Sequence, residues 1–313
     1  MQQGPGEPPR RSFRHLGPVL ARAIDPRLTA HLVAERTALD ELARPLPRGS
    51  SIAVVGVQPG AGRTTVAALL AHLLATLGST KVLAIDTDSR NPGLAGRLGA
   101  GPGGSLHAVF AGLRLEPPGP VRLPPGPPSF RWMSQHLAGG GEPAVLAASA
   151  AELGRPFPAG HYAATLRRFG RWYRAVVTDT PVGPAAGVLP GVLAGARKLL
   201  AVGTADEAGR DGLAATLDWL AGAGPGGLRD RTICVRIGRP DRPRASPMMV
   251  GVPVHVLPFD AHLASGAPVD WTALGERTRR AALALVQATV AGLAEPVRKQ
   301  IAGDGNRSGV RAL

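Results

Sequence analysis

The chain has 313 residues, of which 44% are hydrophobic, enough to bury a core and to build one large α/β domain or two small ones. Its single cysteine, Cys234, excludes an internal disulfide framework and fits a reducing compartment. Basic residues outnumber acidic ones by 36 to 22, giving +14, and since the only lysines are Lys81, Lys198 and Lys299 that charge is almost wholly arginine.

Residues 1–24 are rich in proline and arginine and read as a disordered segment without the apolar block of a secretory signal. Residues 25–50 read as an N-terminal helix and linker: Asp25 can cap, Pro26 suits a first turn, and Leu28, Leu32, Leu39 and Leu42 recur at roughly helical spacing. Between residues 51 and 294 short apolar runs alternate with helical segments. The runs are "SIAVVG", "KVLAID", "FRWMSQ", "RAVVTDT", "KLLAVG", "TICVRI" and "VPVHVLP", and the clearest helices are 64–77, 161–172, 206–222 and 271–294. Strands that are apolar throughout and separated by helices predict one α/β domain, a mainly parallel twisted sheet covered on both faces. The Pro/Gly-rich stretch 115–129 interrupts that domain as a loop, and 295–313 reads as a basic tail.

No apolar stretch reaches the roughly 18 uncharged residues that a membrane span needs, so the chain reads as cytoplasmic, with peripheral recruitment to a membrane left open. Arginines cluster at 229–244 ("RDRTICVRIGRPDRPR") and in "ERTRR" and "VRKQ" near the end. Such runs are solvated surface, or contacts to DNA or anionic lipid. With aromatic residues at 4%, stacking on bases has little support. The helix within 277–299, with Leu283, Val286, Val290 and Leu293 on one face, is either the last helix packed on the sheet or an amphipathic membrane contact.

The chemistry gathers at three places. In "VGVQPGAGRTT" (55–65) an apolar run, a glycine turn and a helix follow one another, the arrangement that offers backbone N–H groups and a helix N-terminus to an anion. Gly60 and Gly62 give backbone freedom, and the Thr64 hydroxyl is a candidate Mg²⁺ ligand; the alternative is a plain glycine turn. "VLAIDTD" ends a strand on Asp86 and Asp88, and "AVVTDTPVG" ends another on Asp179. Carboxylates at those strand ends are placed to hold a metal ion and a water beside a phosphate loop, or simply to cap the turns that follow.

With these three motifs in this order, the sequence from about Ser51 to Leu293 resembles the ParA/MinD family of deviant-Walker P-loop ATPases. The family octet Lys-Gly-Gly-Val-Gly-Lys-Thr-Thr matches Gln58 to Thr65, its Asp-x-Asp matches Asp86 and Asp88, and its Asp-x-Pro-x-Gly matches Asp179 to Gly183. The stretches 191–220 and 256–285 look like the MinD-like branch associated with type VII (ESX) secretion. The resemblance implies a single P-loop NTPase-like domain binding ATP or ADP with Mg²⁺. It makes Gly60, Ala61, Gly62, Arg63, Thr64 and Thr65 the phosphate cradle, Thr64 the direct metal ligand, and Asp86 and Asp179 the residues that orient the metal's water shell. Asp88 then places the hydrolytic water, and Pro258 and Asp260 fall at the adenine pocket. At "VRIGR" (235–239), where many relatives carry an adenine-contacting asparagine, there is none.

Both loop lysines of the family are replaced here, the trans-acting one by neutral Gln58 and the cis one by Arg63, whose planar fork is not equivalent to an ammonium. The implied function is a nucleotide-dependent switch, dimerising with nucleotide, that positions or regulates a secretion, division or partition complex, with hydrolysis weak or lost. The alternatives are a non-enzymatic adaptor that keeps the fold as an interaction surface, and a ParA-like non-specific DNA binder.

Overall fold

The computed structural model describes residues 46–78, 80–100, 143–147, 153–155, 157–223, 227–240 and 251–304, with the single positions 37, 40, 107 and 109; for 294–304 it describes the backbone alone. The N-terminal segment 1–24, the loop 115–129 and the run "FRWMSQ" lie outside the described residues, as does nearly all of the 25–45 helix, although Thr37 and Asp40 have helical backbone.

Seven strands form one parallel sheet in the order β3-β2-β4-β1-β5-β6-β7. They are β1 (Ser50–Val55), β2 (Val82–Asp86), β3 (Ala144–Leu146), β4 (Ala175–Asp179), β5 (Lys198–Thr204), β6 (Thr232–Ile237) and β7 (Val254–Leu257). Their side chains alternate between two cores. Ile52, Val54, Val82 and Ala84 face one side, under helices α1 (Arg63–Thr76) and α7 (Glu276–Asp304) and the short α2 (Leu94–Arg97). Ala53, Val55, Leu83 and Ile85 face the other, under α3 (Ala159–Phe169), α4 (Leu189–Gly195) and α5 (Glu207–Gly222). Burial on both faces is why the strands carry no polar alternation. The α/β sheet covered by helices on both faces is therefore as the sequence predicts.

Helix α1 follows the same logic. Val66 to Leu74 are buried almost without interruption because the helix is enclosed by the sheet, α2 and α7. The sequence reading misses β3, only three residues long, and α2, α4 and α6 (Ala261–Ala264), of four to seven residues, which are too short to show a period. The last helix starts at Glu276 rather than 271, after a 3₁₀ turn at Trp271–Ala273, and its backbone continues to Asp304 through part of the segment read as a tail. Leu283, Val286 and Leu293 are buried against the sheet, so this stretch is the final packed helix.

The topology decides where a ligand can sit. From β1 the chain moves outward through β2 to β3, returns to β4 beside β1, and then crosses to β5 on the other side. The turn after β1 therefore lies at the switch point, flanked by the turns that leave β4 and β5, where parallel sheets open a crevice at their carboxyl ends.

Candidate phosphate-binding site

Three glycines of the 56–62 turn are required by geometry. Gly60 and Gly62 have φ of 67° and 91°, the left-handed region. A Cβ on Gly62 would also collide with Ile237 Cδ1, and one on Gly56 would stand 2.8 Å from the Val202 carbonyl. Gly62 caps α1 without a side-chain hydrogen bond, and the first turn carries no acid. The first backbone bond of the helix runs from Val66 N–H to Gly62 O at 3.0 Å, and no described acceptor takes the amides of Gly60, Ala61, Gly62, Arg63, Thr64 or Thr65. Six consecutive free amides at the positive end of a 14-residue helix make a site for an anion.

Beneath the loop, Thr64 Oγ1 donates to Asp179 Oδ2 at 2.6 Å. The other oxygen, Asp179 Oδ1, is buried and has no hydrogen-bond partner. Asp179 pairs in register with Asp86 on the neighbouring strand, so two carboxylates are buried side by side. Burial first, and then the charge of Asp86, push the Asp179 carboxyl well above the usual carboxylate range, against the Thr64 hydroxyl and the Arg63 guanidinium. Burial likewise raises Asp86, although the Leu94, Asp88 and Gly93 amides favour its charged form.

Asp86 is spent on local structure. Its Oδ1 accepts the Asp88 amide at 3.0 Å and its Oδ2 the Gly93 and Leu94 amides, each at 3.0 Å, which holds the turn that leads into α2. Asp88 is half-buried, and its Oδ1 accepts the Arg90 and Asn91 amides at 3.2 and 3.3 Å. The structure thus brings Thr64 and Asp179 into contact, sets Asp86 beside them through its charge, and leaves Asp88 Oδ2 without a bond among the described residues.

The residues present fit a magnesium-bound phosphate. A carboxylate with one unpartnered buried oxygen is bonded to the hydroxyl of Thr64, whose own amide is one of the free amides of the loop. Among the described residues no three His, Cys, Asp or Glu side chains are grouped to hold a metal unaided. That suits Mg²⁺, which keeps several waters and takes one or two protein ligands plus phosphate oxygens.

Arg63 and Gln58 do something the sequence did not reveal. The Arg63 side chain turns inward, 9% exposed, and its Nε donates to Thr180 O at 3.2 Å while its Nη1 donates to Gly56 O at 3.2 Å and Gln58 O at 3.0 Å. Gln58 lies against the β5 turn and exchanges hydrogen bonds with Thr204. Arg97, on α2, is another buried arginine outside the sequence reading: it donates to Ala267 O and Leu263 O at 2.7 and 2.9 Å and reaches Thr65 Oγ1 at 3.4 Å. No local signal marks these contacts, because their partners are distant in the chain.

Beyond Gly62 the surface continues through Ile237 and Gly238 to Pro258 and Phe259, where a Cβ on Gly238 would stand 2.5 Å from the Phe259 nitrogen. Pro258 and Asp260 line a cavity of about 590 Å³ with Phe259, Gly275 and Thr278. The Asp260 carboxylate caps α6 through the His262 and Leu263 amides and accepts the Gly275 amide at 3.0 Å. Burial opposes its charge, yet these amides and the Thr278 hydroxyl hold it below the ordinary value.

The arginine clusters are partly engaged within the fold. Arg231 donates to Ala196 O at 2.8 Å, Arg239 faces Asp206 at 3.7 Å, and Arg280 pairs with Glu276. Residues 241–250 lie outside the described residues.

A parallel sheet in this order, with a glycine loop and a helix at its switch point, is the fold of the MinD and ParA ATPases. MinD from Pyrococcus furiosus superposes with a TM-score of 0.56 at 21% identity, covering 80% of this chain and 99% of that one. A ParA family ATPase from Chlorobium tepidum gives 0.62 at 16%, over 78% and 98%. MinD of Pyrococcus horikoshii, solved with Mg-ADP, gives 0.56 at 19%, over 80% and 96%. In sequence, the chain is similar to the ESX-1 secretion-associated protein EspI of Mycobacterium tuberculosis, 27% identical over 266 residues. That match takes in 77% of this chain but 36% of EspI, so the chain spans about a third of that relative's length. No family model matches the sequence.

Proposed function

We propose that this chain binds Mg²⁺-ATP and Mg²⁺-ADP in the 56–65 loop and acts as a nucleotide-dependent switch in an ESX-type secretion system, with hydrolysis weak or lost. The observation that carries the reading is the Thr64–Asp179 contact at 2.6 Å, which joins a carboxylate with an orphaned buried oxygen to a loop of six free amides. The similarity to EspI supplies the secretion context, and the MinD and ParA neighbours supply the expectation of a nucleotide-dependent homodimer acting on a protein partner.

In this reading the amides of Gly60 to Thr65 would hold the phosphates, and the Thr64 hydroxyl, which now donates to Asp179, would be the side chain that holds Mg²⁺. Mg²⁺, when bound, supplies charge neutralisation for the phosphates and for the Asp86–Asp179 pair. Asp179 Oδ1 would be the acceptor that holds a water of the metal's shell, Asp86 would act through its charge, and Asp88 Oδ2 would be the acceptor free to orient an attacking water. Phosphoryl transfer depends on cations around the phosphate for about 10³- to 10⁵-fold in rate. Here Gln58 is neutral, and two of the three Arg63 nitrogens are committed to carbonyls. Slow turnover with retained binding is the consequence. Ile237, Pro258 and Phe259 would offer apolar contact to a base, and without the asparagine its discrimination would be weak. The chain acts in the cytoplasm, with recruitment to the membrane through its partner complex; among the described residues no helix is long and apolar enough to cross a membrane.

Titration of the purified chain with ATP, ADP and GTP, with and without Mg²⁺, tests this. Binding of ATP and ADP that strengthens with Mg²⁺ is the expected result. No heat release and no thermal protection at millimolar nucleotide would reject the site and leave the adaptor reading.

A further inference from the structure

We propose that Arg63 is a positioning residue that latches the 56–62 loop to the turn after β4, and that it meets a bound nucleotide through Nη2 alone. The proposal rests on the nucleotide-site reading above and deepens it.

Three carbonyl oxygens from two separate turns converge under the loop: Gly56 O and Gln58 O from the glycine turn, and Thr180 O from the turn that follows Asp179. Unneutralised, they would present negative dipole ends to an incoming polyphosphate. The guanidinium covers all three at 3.0 to 3.2 Å, with Nε pointing to one turn and Nη1 to the other. The same two turns are joined again by Gly183 N–H donating to Gly56 O at 3.2 Å, and Thr180 Oγ1 ties the second turn to β1 by donating to Val54 O at 2.7 Å. The guanidinium is therefore the central member of a seam that fixes the cradle relative to Asp179.

Lysine cannot replace it. An ammonium donates from one nitrogen, whereas these acceptors are met from two atoms of a rigid fork. Nη2, which has no partner among the described residues and is not buried, is left to face a phosphate. Arg63→Lys therefore opens the seam instead of restoring an efficient P-loop.

Hydrogen exchange of the metal-free chain, read at the bonded amides of Val57 and Gly183, together with affinities for Mg²⁺-ATP and Mg²⁺-ADP, tests this on the parent, Arg63→Lys and Arg63→Ala. The lysine variant is expected to exchange faster in both turns and to bind both nucleotides about tenfold more weakly, a loss of about 1.4 kcal/mol. Millimolar guanidinium is expected to restore loop protection in Arg63→Ala, and methylammonium is not, a chemical selectivity that mere loss of packing would not produce. A lysine variant whose turns exchange no faster, or that binds both nucleotides as tightly as the parent, overturns the proposal. Failure of the parent to bind either nucleotide rejects the nucleotide-site reading instead, and the exchange data still decide the latch.

Discussion

Gln58 and Thr204 hold each other across the crevice: Gln58 Nε2 donates to Thr204 Oγ1 at 3.0 Å, and the Thr204 amide donates to Gln58 Oε1 at 3.2 Å. The side chain at the loop position that the sequence resemblance assigns to a contact across a dimer is thus tied within its own chain. Thr204 Oγ1 in turn donates to Asp206 Oδ1 at 2.6 Å, and that carboxylate caps α5 through the Gly209 amide. Gln58 is a strut between the loop and the start of α5.

Replacing that strut is the first prediction. Gln58→Lys offers no acceptor to the Thr204 amide, so unfolding free energy should fall by about 1 kcal/mol in denaturant titration. The freed lysine can act on phosphate only in a second chain. Any gain in ATP turnover should therefore rise with protein concentration, and a gain independent of concentration would place its action in cis.

Thr64→Ala removes the hydroxyl that meets Asp179. Its affinity for Mg²⁺-ATP should drop about tenfold or more, while affinity for nucleotide in EDTA should change little, because the amide cradle is intact. Equal Mg²⁺ dependence in variant and parent, measured by calorimetry, would remove Thr64 as a metal ligand.

The two buried aspartates should respond unequally when each is made neutral. In the metal-free chain, burial raises Asp179 above its unfolded value, so the folded state keeps a proton that the unfolded state releases. Stability on that account is lost as pH rises from about 4, the unfolded value, towards the raised folded one. Asp179→Asn should cancel that loss and melt higher than the parent in EDTA at pH 7 to 8, by about 1–3 kcal/mol, with the two alike near pH 4. Asp86→Asn relieves the same kind of burial penalty but gives up amide partners, since its two oxygens accept three amides and an asparagine has one acceptor oxygen, so at neutral pH it should be less stable than Asp179→Asn by about 1–3 kcal/mol. Melting curves against pH in EDTA decide both.

Gly62→Ala should fold poorly. The residue sits at φ 91° and its Cβ would strike Ile237 Cδ1, so a loss of roughly 1–3 kcal/mol is expected from the backbone alone. Gly60→Ala, at φ 67° but with open space around its Cβ, should cost less. Equal melting points for the two would mean that the contact with Ile237 is not made in solution.

The sequence by itself determined the sheet and the outline of the site. Uninterrupted apolar runs such as "IAVV" and "AVV" read as strands covered on both faces, and a glycine turn between such a strand and a helix is a local arrangement. Asp86, Asp88 and Asp179 were legible because each lies at or just past the end of an apolar run, a position fixed by local pattern. Short elements such as β3 escaped notice because three residues carry no period.

What each of those side chains is bonded to was decided only by the tertiary structure. The strand order that places β4 and β5 on either side of β1 brings Thr180, 117 residues away, onto Arg63 and Thr204, 146 residues away, onto Gln58. The same order sets Asp179 against Thr64 and beside Asp86. A motif fixes which chemical groups stand at the edge of the sheet. Which of them remain free for a ligand depends on competition among buried donors and acceptors, each of which must find a partner once water is excluded. That competition engages Arg63, Gln58 and Asp86 in the fold and leaves one oxygen of Asp179 and the loop amides unpaired.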